Sequence, residues 1–186
     1  LILFGIGLSS LAGALMALVT NFAPNPFYLS DMITWMLGSV ANRSLLDIAL
    51  VLPFMLAGLL LLLSQRKGLT LLSLGEDTAS TLGLSLTTTR ICVVLGAGLA
   101  TGAAVSLAGV IGFVGIVTPH LVRPLVNYEP GKTIIPSAVL GGVFLVLIDI
   151  GVRIISTNVE LKIGVLAALV GAPIFIWIAS KSGRHE

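Results

Sequence analysis

The stretch Ile48-Ala-Leu-Val-Leu-Pro-Phe-Met-Leu-Ala-Gly-Leu-Leu-Leu-Leu-Leu-Ser64 decides what kind of protein this is. It carries no charge and stops at Arg66 and Lys67. A bilayer core of roughly 30 Å is crossed by about 20 mostly apolar residues of helix, whose backbone polar groups are satisfied internally. The same pattern recurs outward from this segment, and spans are expected at about 1–20, 48–64, 91–109, 133–154 and 163–180. The stretch 110–127 is apolar but interrupted by Gly112, Gly115, Pro119 and Pro124, with Gly109 just before it. It reads as a broken or re-entrant segment with a short helix near 116–125, a form tolerated only where protein or a cavity covers the irregular backbone, and the alternation of charges requires it to cross back. Residues 29–39 read as a short interfacial helix with Trp35 as anchor. The expected fold is therefore all-α: a single polytopic transmembrane bundle covering residues 1–186.

Composition agrees. Of 186 residues, 56% are hydrophobic and 10% charged, against roughly 25% charged in an average soluble domain. Mean hydropathy is +1.12. That leaves too few charges for a polar shell, and a net charge of +2 gives no electrostatic support for nucleic-acid binding. Cys92 stands alone in an apolar run and reads as a small buried hydrophobe. The chain opens on Leu1 directly in an apolar stretch, without a charged n-region, so it reads as part of a longer protein rather than as a signal peptide.

Positive charge orients the chain. If the 65–90 loop is cytoplasmic, Arg66, Lys67, Arg90, Arg123, Lys132, Lys181 and Arg184 share its side, while Arg43, Arg153 and Lys162 lie opposite. The C-terminus is then cytoplasmic too. Gly5, Gly7, Ser9, Ser10 and Gly13 form small contact positions on the first span.

The 65–90 loop is far longer than the 2–8 residues that join neighbouring helices. Ser73 and Glu76 have capping-box spacing, Glu76 and Asp77 suit a first helical turn, and Gly83 suits the position that ends a helix. A short helix is expected over about 74–82, with docking element and plain connector both open as its role.

At this loop the chain resembles the permease subunits of type II ATP-binding-cassette (ABC) importers, the family that takes up vitamin B12, iron–siderophores and haem. The resemblance rests on Trp35-Met-Leu-Gly-Ser39, Leu74-Gly-Glu-Asp-Thr-Ala-Ser-Thr-Leu-Gly83, Ala108-Gly-Val-Ile-Gly-Phe-Val-Gly-Ile-Val-Thr-Pro-His-Leu-Val-Arg123, and Glu160-Leu-Lys-Ile-Gly-Val-Leu166 through Gly171-Ala-Pro-Ile-Phe-Ile-Trp177. It implies the fifth to tenth spans of a ten-span permease that works with a second copy or a related chain. It also implies an extracytoplasmic substrate-binding protein and a separate cytoplasmic ATP-binding subunit that uses ATP and Mg, in the cytoplasmic (inner) membrane of a prokaryote. By the same resemblance Leu74, Gly75, Glu76, Asp77, Ala79 and Gly83 belong to the coupling helix that docks on the ATPase. Arg153, with Glu160 and Lys162 at the rim, would meet the binding protein.

Each assignment has a plainer alternative. Arg153 can snorkel to headgroups or pair with Asp149 one turn back. His120 can serve structure rather than ligate haem or a metal. Gly109, Gly112 and Gly115 are close-packing or flexing positions. The chain has no Walker A motif, H-E-x-x-H or G-x-S-x-G, so no ATPase site, enzyme activity or bound cofactor is expected. An ion-coupled secondary transporter is the alternative function. It would need intramembrane charges, which the span centres lack.

Overall fold

In the computed structural model, residues 2–22, 25–155 and 161–182 are described. All regular structure among them is helical: α1 (Ile2–Asn21), α2 (Pro26–Leu37), α3 (Leu45–Ser64), α4 (Arg66–Leu72), α5 (Glu76–Thr81), α6 (Leu86–Ala108), α7 (Val114–Val122), a 3-10 turn (Arg123–Val126), α8 (Pro130–Ile155) and α9 (Ile163–Ser182). Helices α1, α3, α6 and α8 are long and apolar enough to cross a membrane, and the apolar stretches Val114–Val126 and Ile163–Ile178 are shorter. The molecule is an all-α polytopic bundle.

Helix α3 begins earlier than its apolar run. Ser44 Oγ accepts from Asp47 N at 3.1 Å, and Asp47 Oδ2 accepts from Ser44 N at 2.9 Å. This reciprocal capping box engages two orphan donors and pulls the start to Leu45. The most extensive packing joins α3 to α6. A Cβ on Gly58 would lie 2.6 Å from both Ala100 N and Gly96 O, so the two helices cross backbone against backbone.

The loop after α3 holds more structure than a single short helix. Helix α4 occupies Arg66–Leu72, where the sequence reads as loop. Its Gly68 is buried against Leu84 and Thr89 of the α5–α6 region, and a Cβ on Gly131 of α8 would collide with the Arg66 carbonyl. Gly131 N also donates to Thr70 Oγ1 at 3.3 Å. Tertiary contacts on both sides thus hold a seven-residue helix, shorter than an isolated helix needs for stability.

The opposite end of the bundle is closed by three glycines. Gly38 and Gly109 have φ of +69° and +71°, and Gly164 lies against the Leu37 carbonyl. Val110 N donates to Trp35 O at 3.1 Å and Ser39 N to Ala108 O at 2.7 Å. The end of α2 thereby satisfies backbone groups where α6 gives way to an irregular link, as membrane depth demands.

The interrupted stretch forms one short helix, α7, which runs on into the 3-10 turn, close to the helix the sequence predicts near 116–125. Five residues, 109–113, separate α6 from α7, and Val114 N donates to Gly112 O at 2.8 Å, so the link is turned rather than extended. Phe113 has φ +66°, and Gly171 of α9 leaves room for its side chain. Val117 and Thr118 of α7 are buried, with Thr118 beside Gly141 of α8. Ile148, Val152, Ile163 and Ala167 form a buried apolar cluster, against which Ile111 of the link packs.

Candidate functional site: a capped helix on a glycine-seated platform

Helix α5 is bounded by glycines. Gly75, at φ +101°, is its N-cap and offers no side-chain cap. The Ser73–Glu76 capping box therefore does not form. Ser73 Oγ donates instead to Thr70 O at 2.6 Å at the end of α4, and Glu76 turns to Arg90 on α6. The helix starts at Glu76 rather than near 74.

The far end follows the sequence closely. Gly83, at φ +84°, donates to Ser80 O at 2.9 Å, and Leu84 N donates to Ala79 O at 3.0 Å. This pair of bonds is a Schellman motif, for which glycine is the natural residue at the left-handed position. Ala79 is fully buried, so it seats the helix on its platform and cannot belong to a surface that meets a partner. Glu76, Asp77 and Gly83 are exposed. Leu74 and Leu82, each 60% exposed, flank the helix with apolar surface. Leu82 was not singled out in the sequence; an apolar residue just before the terminal glycine is a weak signal among so many leucines.

Charge concentrates at this end. Arg90 pairs with Glu76 across the α5–α6 turn, and Lys132 Nζ lies 2.7 Å from Glu129 Oε2. Arg66, Lys67 and Arg123 are exposed. Gly68 of α4 packs against Thr89 of α6, and Gly131 of α8 packs against Arg66 and Thr70 of α4, so α4 lies between α5 and two long helices.

Of the broken-segment residues, Gly112 and Gly115 would meet nothing within 4 Å as alanines. Close packing within this chain belongs to Gly109 instead. Pro119 lies inside α7. His120 Nδ1 is 3.0 Å from Ile116 O, and its ring stands edge-on to Phe175 at 6.3 Å. Among the described residues no three His, Cys, Asp or Glu gather as a metal site. Arg123 ends α7, and its carbonyl accepts from Tyr128 N at 2.8 Å. At the glycine-closed end, Arg153 Nε donates to Asp149 Oδ2 at 2.7 Å, and Arg153 is 70% exposed. That pair uses one edge of the guanidinium and leaves the residue at the surface. Glu160 lies outside the described residues.

Comparison with known proteins places this arrangement in context. The chain is 38% identical over 184 residues to an uncharacterized ABC transporter permease protein, YvrB of Bacillus subtilis (strain 168), covering 99% of this chain and 52% of that one. It is 36% identical over 189 residues to the vitamin B12 import system permease protein BtuC of Salmonella typhi, covering 99% and 56%. It is 35% identical over 156 residues to the iron-uptake system permease protein FeuB of B. subtilis, covering 84% and 47%. The chain thus spans about half the length of these relatives. A solved structure of an inward-facing metal-chelate type ABC transporter superposes with a TM-score of 0.90 at 32% identity, over 97% of this chain and 58% of the other. The FecCD transport family matches residues 1–181, and with that match and these relatives the chain belongs to the FecCD transport family.

Proposed function

We propose that this chain is a membrane-spanning permease component of an ABC importer that moves an iron–siderophore, haem or cobalamin-type ligand inward, an iron chelate being favoured. Its relatives are permeases for iron and vitamin B12. The observation that carries the reading is α5. It is a short exposed helix, stopped by a Schellman motif, flanked by Leu74 and Leu82 and seated through Ala79. A soluble ATP-binding subunit docks there and hydrolyses ATP with Mg. The permease contributes no catalytic group. ATP binding shifts the inward-open and outward-open populations only through contacts that differ between those states, and α4 carries the shift to α6 and α8.

The end bearing α4 and α5, and the C-terminus, face the cytoplasm by their positive charge. Arg153, with Glu160 seven residues on in the sequence, meets the extracytoplasmic binding protein. A second copy or related chain completes the pathway in the inner membrane.

Co-purification tests this. Proline cannot adopt φ +84° and has no N–H for Ser80 O. The full-length permease is expressed with its candidate ATPase and isolated in mild detergent. The intact protein should retain the ATPase, and Gly83→Pro should lose it while still inserting. If the intact full-length protein retains no ATPase, the importer reading fails.

A further inference from the structure

A cavity of about 620 Å³ opens beside the coupling platform, between the end of α3, α4 and the first turn of α8. Its rim carries Arg66, Lys67 and Lys132 with one carboxylate, Glu129. Glu129 is engaged by Lys132, while Arg66 and Lys67 have no ion-pair partner among the described residues. Three cations against one carboxylate leave the rim with two net positive charges. The opening turn of the 26-residue α8 adds its positive end to the same wall. Below the rim, toward the membrane, the lining turns apolar at Leu63 and Ile135, and Ile135 is 53% exposed.

We propose that this cavity binds one anionic phospholipid, its phosphate held by Arg66, Lys67 and Lys132 and its acyl chains lying along Leu63 and Ile135. Two features favour a lipid over an acidic side chain of a soluble partner. The cationic rim complements a phosphate, and the apolar half at Leu63 and Ile135 belongs to the apolar stretches of α3 and α8, which suits an acyl chain. Basic pockets between helices at the membrane surface take anionic headgroups for this reason. The volume falls within the usual range for small-ligand sites. The site adjoins α4, so an occupant would brace the platform on which α5 sits. The proposal rests on the membrane assignment and does not require the importer reading.

Native mass spectrometry of the full-length protein, released from nanodiscs containing phosphatidylglycerol and phosphatidylcholine, provides the test. One phosphatidylglycerol per chain should survive release in preference to phosphatidylcholine. Arg66→Gln combined with Lys132→Gln should lower its retention about thirtyfold. Arg123→Gln removes a cation from the same end but outside this cavity, and should leave retention unchanged. Ile135→Trp keeps every charge and fills the apolar wall, so it should also displace the lipid. Inorganic phosphate at millimolar concentration should not compete; displacement by phosphate alone would mean a simple anion site and overturn the lipid assignment. Equal retention of the two lipids, or equal loss in the Arg66/Lys132 and Arg123 variants, would also overturn it.

Discussion

Helix α1 and the α3–α6 pair are built from similar material and packed in opposite ways. Helix α1 carries Gly5, Gly7 and Gly13, α6 carries Gly96, Gly98 and Gly102, and α3 carries Gly58. Where α3 meets α6, Gly58 and Gly96 face each other and are both buried, while Gly98 and Gly102 farther along α6 stand open. In α1, Gly5, Gly7 and Gly13 have nothing within 4 Å of where a Cβ would stand, and from Leu3 to Val19 only Met16 is even half-buried. Lipid tails are as apolar as leucine, so helices in a membrane associate through close packing rather than hydrophobic burial. A small-residue face therefore marks capacity for contact rather than contact itself.

Substitutions that add one methyl group test this contrast. The largest effect is expected where packing and backbone conformation coincide. Gly109 has φ +71° and ψ −166° and lies against the Trp35 carbonyl. This backbone region is essentially restricted to glycine. Strain and overpacking together should make Gly109→Ala destabilising by about 4 kcal/mol, or prevent stable insertion. Thermal unfolding in detergent reads this directly. Gly58→Ala has ordinary helical geometry and only the collision with α6, so about 1–3 kcal/mol is expected. If Gly58→Ala proves neutral, the backbone crossing of α3 and α6 is looser than the described contact.

These sites also show what was legible in the sequence. Apolar length and charge placement made the long helices readable, since lipid tolerates few alternatives. Gly83 was readable because a left-handed stop favours one residue type. Ser73 misled because its hydroxyl had a nearer acceptor, Thr70 O, and because Gly75 sets the start of α5 by its own dihedral. Helix α4 was missed because Arg66-Lys67-Gly68 looks like the end of a span; Gly68 disfavours helix locally and earns its place only against Thr89. The buried face of α5 was invisible, since six residues are too few for periodicity to orient a helix. The Ser44–Asp47 box stands in the sequence as S-x-x-D, but the charge of Asp47 places it outside the apolar run that marks the span.

A smaller effect is expected at the coupling platform. The Arg90–Glu76 pair is exposed, at 43% and 61%, so Arg90→Ala should alter stability by less than about 1 kcal/mol. On the proposed function it should still weaken ATPase retention, because α5 would lose a tether to α6. Retention unchanged at equal stability would assign the positioning of α5 to Ala79 and the Gly68–Thr89 contact alone.

The smallest effect separates α1 from the Gly58–Gly96 crossing of α3 and α6. Gly7→Ala adds a methyl group to open space and replaces a poor helix former with a good one. Stability of the isolated chain should hold or rise by up to about 1 kcal/mol. The same substitution in the assembled transporter asks a different question. A loss there, absent in the isolated chain, would place the small face of α1 against another part of the assembly, as the resemblance to a two-permease importer implies. A loss in the isolated chain as large as that of Gly58→Ala would mean that α1 packs within the chain, and the contrast between the two regions would fail.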